Sequence, residues 1–95
     1  MVPPAYNAPG QGNPRPYYPW LSRQRGEQGR VVLRVGVDAA GKPFDVTIIR
    51  SSGHGRLDRA AAEALRQWRF KPARQGGRNV AGSVEVPVTF RLSDG

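Results

Sequence analysis

Ser51, His54 and Asp58 put a hydroxyl, an imidazole and a carboxylate within one short stretch, the residue types of a nucleophile, a general base and an orienting acid. Their local spacing on a turn supplies no oxyanion hole and no buried orienting carboxylate, so the three do not make a triad. His54 is the sole histidine and cysteine is absent, which removes multi-histidine metal sites, thiolate catalysis, disulfides and zinc-finger chemistry together. Gly53-His54-Gly55 opens like a dinucleotide-binding fingerprint, but the third glycine position holds Asp58, whose carboxylate would repel a phosphate. The stretch reads as a turn. No residue is assigned a catalytic, cofactor-binding or metal-binding role.

What remains is main-chain chemistry. Val84, Val86, Val88, Phe90 and Leu92 alternate with Glu85, Pro87, Thr89 and Arg91, the period of a half-buried strand. Proline has no N–H to give to a ladder, so Pro87 inside such a pattern belongs on an edge strand, its nitrogen turned away from the neighbour. In an antiparallel ladder the N–H and C=O of one residue point the same way, and the direction alternates along the strand. Ser83, Glu85, Thr89 and Arg91 would therefore serve the open side. Two readings of Pro87 are compatible: a docking edge for an extended guest, and a guard against permanent edge-to-edge pairing.

Fifteen Lys and Arg against seven Asp and Glu give a net charge of +8. Such a surface attracts nucleic acid, acidic lipid headgroups and acidic protein segments alike, so charge alone does not choose among them. A nucleic-acid-binding module is the alternative that the arginines motivate. No recognised reader motif accompanies them, and they are spread over helix, loops and strand rather than gathered on one face.

These residues have to be positioned by a single small domain, because 95 residues allow no more. A chain of this size has little depth for an enclosed pocket, which favours binding by a surface. Residues 1–16 hold five prolines and two glycines and read as a Pro/Gly-rich flexible linker, with residues 17–95 as the folded unit. No apolar run approaches the roughly 18 residues of a membrane span. Pro19 to Arg25, stopped by Gly26, predicts a short helix. Val31, Leu33, Val35 and Val37 alternate as a strand, Asp38 to Lys42 make a tight turn with Gly41 at a positive φ, and Pro43 to Arg50 resume the alternation. Leu57 to Phe70 has helical spacing that ends at Pro72, and Ala73 to Asn79 form a loop. The expected fold class is α+β: a three-stranded antiparallel sheet in the order 2-1-3, one main helix packed on one face, and a short N-terminal helix. The helix would cover the face carrying Val31, Leu33, Val35, Phe44, Val46, Ile48, Val86, Val88 and Phe90. Trp68 falls on the apolar stripe of the helix and reads as a core plug, with Phe70 as a loop anchor.

Tyr18-Pro19, Gly29-Arg30-Val31-Val32-Leu33, Ala40-Gly41-Lys42, Ser51-Ser52-Gly53 and Leu57-Asp58-Arg59-Ala60-Ala61 together fit one family pattern. The specific part is Trp68-Arg69-Phe70-Lys71-Pro72-Ala73, a Trp-x-aromatic-x-Pro at the end of a helix, preceded by a β-hairpin and followed by one alternating strand. Over about residues 13 to 92 the chain resembles the TonB C-terminal domain family. The resemblance implies Pro19, Trp68, Phe70 and Pro72 as structural positions. It implies a non-enzymatic periplasmic domain of a protein anchored in the inner membrane by a preceding helix and driven there by an ExbB–ExbD-type motor. Its partners would be outer-membrane TonB-dependent transporters for siderophores, haem or cobalamin, whose TonB box adds as a strand. The third strand is the expected template, with Ser83, Glu85, Val86, Pro87, Val88, Thr89, Phe90 and Arg91 as contact residues. Arg15 stands where better-studied members carry a receptor-contacting glutamine, and Tyr17 and Tyr18 are placed beside it. The open edge also gives a reason for a strand-swapped homodimer in isolation. A Tol-type or peptidoglycan-binding periplasmic scaffold is a third reading.

Overall fold

The computed structural model describes residues 1–7 and 12–92. In chain order its elements are β1 (Ala5–Tyr6), α1 (Trp20–Gln24), β2 (Gly29–Val37), β3 (Pro43–Arg50), α2 (Gly55–Arg66), β4 (Phe70–Lys71), β5 (Ala73–Gln75), β6 (Arg78–Val80) and β7 (Gly82–Phe90). β2 lies at the centre of an antiparallel sheet of order β3-β2-β7, which is the predicted arrangement. Val31, Leu33, Val35 and Val37 are fully buried on the face covered by α2, where Leu57, Ala60, Ala61 and Leu65 meet them. Strand alternation and helical spacing thus converge on one apolar layer, whose burial is the main stabilising term.

The β2–β3 turn is fixed by side chain and main chain together. Asp38 Oδ1 accepts from the N–H of Ala40 and of Lys42, both at 2.9 Å, an Asx-type turn. Gly41 adopts φ +87°, and a Cβ there would lie 2.2 Å from the Phe70 carbonyl oxygen. The Gly41 carbonyl accepts from the Phe70 N–H at 3.0 Å, so the turn is stitched to the chain leaving α2.

Four expectations are corrected. Phe44 does not reach the core: a register shift between Gly36 and Val37 leaves it as an extra residue, and its ring lies over Gly36 on the uncovered face, 65% exposed. Ile48 sits opposite Leu33 but on an outer strand, and stays 40% exposed. The main helix ends at Arg66 rather than running to Phe70. Beyond it the main chain is claimed by other segments: Asn13 Oδ1 accepts from the Arg69 N–H at 2.9 Å, and Phe70–Lys71 pair with Ala5–Tyr6. The predicted loop after Pro72 is a small hairpin, β5 against β6, turned by Gly76 and Gly77 at φ +59° and +76°.

The expected linker, residues 1–16, makes contacts with the folded unit. Its residues 8–11 lie outside the described residues, as do residues 93–95 of the predicted folded unit. The rest is held: Pro4 is buried, Val2 bridges Arg74, and Tyr6 lies 5.6 Å from Trp68 and 6.0 Å from Phe70, ring centre to ring centre. Proline content permits an extended strand as readily as a free spacer, and here a row of aromatic rings gives that strand something to lie on.

Candidate functional site

The register of β7 on β2 runs unbroken for nine pairs, from Gly29 opposite Phe90 to Val37 opposite Gly82. Pro87 faces Val32. Because proline has no N–H, that pair is one that exchanges no ladder bonds, and alternation then turns the polar main-chain groups of Ser83, Glu85 and Thr89 outward as well. Arg91, just past the strand, continues the same parity. Among the described residues no strand of this chain takes up that side of β7. The opposite edge, on β3, is less regular, with register shifts near both ends. Such shifts disrupt the ladder and twist the edge away.

A groove of about 220 Å³ runs beside the C-terminal half of β7. Pro87, Val88, Thr89, Phe90 and Arg91 form one wall and Arg15, Pro16 and Tyr18 the other. The second wall is held in place by the helix end and the core. Trp68 Nε1 donates to the Pro14 carbonyl at 2.7 Å, and Asn13 bonds Arg69 through both its side-chain oxygen and nitrogen. Pro19 is buried, the Tyr18 ring stands edge-on to Phe90 at 5.4 Å, and the Tyr18 hydroxyl donates to the Glu27 carbonyl. The Arg23 guanidinium lies over the Tyr18 ring, 5.0 Å from its centre.

The structure therefore brings Arg15 and Tyr18 to the same groove as Pro87 through Arg91. Ser83 and Glu85 lie farther along the same edge. Val86 is 1% exposed and its main-chain groups face β2, so it supports the edge from behind instead of offering a contact. Val88 and Phe90 likewise spend their main chain on β2, although both line the groove. Tyr17 turns to the other side of the wall, toward Arg56, Arg59 and Glu63 of α2. Asn13, Pro14 and Glu27 were missed by sequence reasoning. Their partners are far away in the chain, and no local pattern announces them.

Ser51, His54 and Asp58 form an anchor. Asp58 accepts from the hydroxyls of Ser51 and Ser52 and from the Ser52 N–H at 3.0 Å, while His54 Nδ1 lies 3.6 Å from Glu27. The serine donates to the carboxylate and not to the imidazole, which is the wrong wiring for a nucleophile. Burial pushes the Asp58 carboxyl up, but the bonds from Ser51 and Ser52 outweigh it, and its pKa lies below the ordinary value. Glu27 is also held below the ordinary carboxylate range, by the Ser22 hydroxyl first and then by His54, Arg56 and Arg25. This network ties α1, the strand–helix turn and α2 together behind the groove.

The family profile of the Gram-negative bacterial TonB protein C-terminal region matches residues 14–92. Protein tonB2 of Pseudomonas aeruginosa is 43% identical over 90 residues, covering 95% of this chain and 33% of that protein. Protein TonB of Xanthomonas campestris is 44% identical over 78 residues, 82% of this chain and 35% of its own length. The chain thus spans about a third of the relatives it matches. Among solved structures, the solution structure of the Pseudomonas aeruginosa TonB C-terminal domain superposes with a TM-score of 0.72 at 29% identity, covering 92% of this chain and 87% of that one. The profile match, the relatives and the shared fold lead to one conclusion: this chain belongs to the Gram-negative bacterial TonB protein C-terminal family.

Proposed function

We propose that this domain is the periplasmic end of a TonB-type energy transducer, and that it binds the TonB box of outer-membrane TonB-dependent transporters by adding it as a strand to β7. The observation that carries the reading is the regular, outward-facing main chain of β7 beside the wall made by Arg15 and Tyr18. Strand addition draws affinity from main-chain bonds and specificity from alternate side chains. The edge and its groove supply both: outward groups at Ser83, Glu85, Thr89 and Arg91 along the edge, and side-chain surface from Tyr18, Arg15 and Pro87 in the groove. In the longer protein a preceding inner-membrane helix, coupled to an ExbB–ExbD-type motor, would pass proton motive force to transporters for siderophores, haem or cobalamin. The domain itself binds and does no covalent chemistry. With no guest present, the same edge would accept a second copy of the chain.

Titration of TonB-box peptides into isotope-labelled protein tests the reading. Amide shifts should concentrate at Ser83, Glu85, Thr89 and Arg91. Thr89→Pro, which removes an outward N–H and spares the β2 ladder, should weaken binding about fivefold. Shifts confined to the β2–β3 hairpin would sink the proposal. Tight, steeply salt-dependent binding of duplex DNA in place of peptide would move the function to nucleic acid.

A further inference from the structure

We infer that the trough on the other side of the Arg15–Tyr18 wall is a second subsite, which takes a carboxylate-rich segment continuous with the strand added to β7. The inference rests on the strand-addition reading above. Tyr17, Pro19, Trp20 and Leu21 line a trough of about 410 Å³ against Arg56, Arg59 and Glu63 of α2. Trp20 is 68% exposed and Tyr17 63%, whereas the other tryptophan, Trp68, is 1% exposed. A tryptophan left in water beside a tyrosine and arginines has the composition that dominates binding hot spots.

A second hollow shares Tyr17 and Glu63 with the trough and reaches Pro14 and Arg15, and Arg15 also lines the groove beside β7. Charge selects the occupant. The trough and the adjoining hollow set Arg15, Arg56 and Arg59 against the single acid Glu63. Among the described residues both ion pairs fall on Glu27, one of them from Arg56 at 3.4 Å, which leaves Arg15 and Arg59 without a carboxylate partner there. An extended segment bearing aspartates or glutamates, with an apolar side chain for Trp20, complements these walls.

The test uses the whole 95-residue chain and synthetic peptides that share one alternating apolar strand segment. One ends there, others carry a tract of aspartate, glutamate and leucine at either terminus, and matched controls carry lysine in place of the acids. An acidic tract should tighten binding about tenfold, move Trp20 emission to the blue, and shift the amides of Trp20, Leu21 and Arg59. Arg59→Glu and Trp20→Ala should each abolish that gain and leave the short peptide's affinity unchanged, with amide dispersion reporting an intact fold. Equal affinity of short and acidic peptides, the same gain from lysine, or a gain that survives Arg59→Glu overturns the subsite. So does an equal Trp20 response to anionic lipid vesicles or cell-wall fragments. If even the short peptide leaves the β7 amides unmoved, the strand-addition reading itself fails, and the short peptide alone reveals that.

Discussion

At Gly41 two constraints meet in one residue. Its φ of +87° strains any side chain, and the space a Cβ would need is filled by the Phe70 carbonyl oxygen at 2.2 Å. That carbonyl belongs to β4, so moving it disturbs the pairing with β1 and the packing of Phe70. Gly41→Ala should therefore destabilise the domain by about 3 kcal/mol, read as a lower midpoint in urea unfolding with an unchanged slope. Gly36 makes the complementary case, since its missing side chain is the seat of the Phe44 ring. Sequence spacing placed Phe44 in the core because a count by two cannot see a residue inserted into the ladder.

Among the elements, the start of α2 owes its anchorage to Asp58, which gathers the turn Ser51–Ser52 onto the first helical turn. Its folded pKa is depressed below the ordinary 3.8. The stability it contributes is thus fully present above that value and is lost as pH falls through the lower, folded one. Thermal melts from neutral pH downward should show a loss in that acid window that Asp58→Asn lacks. The variant should already be about 1–2 kcal/mol less stable at pH 7, and the two profiles should converge once Asp58 is protonated in both states. The strands β2, β3 and β7 and the helix α2 could be read from the chain alone by their internal period, and α1 by Pro19 before it and Gly26 after it. The small pairs β1–β4 and β5–β6 escaped because two or three residues carry no period, and each is made by a partner supplied from elsewhere. The groove was legible in half. Pro87 marked β7 as an edge, while the approach of Arg15 and Tyr18 depends on the Trp68–Pro14 and Asn13–Arg69 bonds across more than fifty residues.

For the whole molecule, the described N-terminal residues behave as part of the folded unit. Deleting residues 1–12 removes β1, the Val2–Arg74 bridge and the Tyr6 ring from Trp68 and Phe70. The truncated chain should lose about 2 kcal/mol of stability, and its Trp68 fluorescence should become accessible to iodide. An unchanged melt and quenching profile would restore the free-spacer description. At the same scale, the single imino acid in β7 has a kinetic side. A strand added there as proposed would find donors at Ser83 and Glu85, a gap, then donors at Thr89 and Arg91. It would peel away in two halves, each held by few bonds, so residence would be brief and release would need no rupture of the whole row at once.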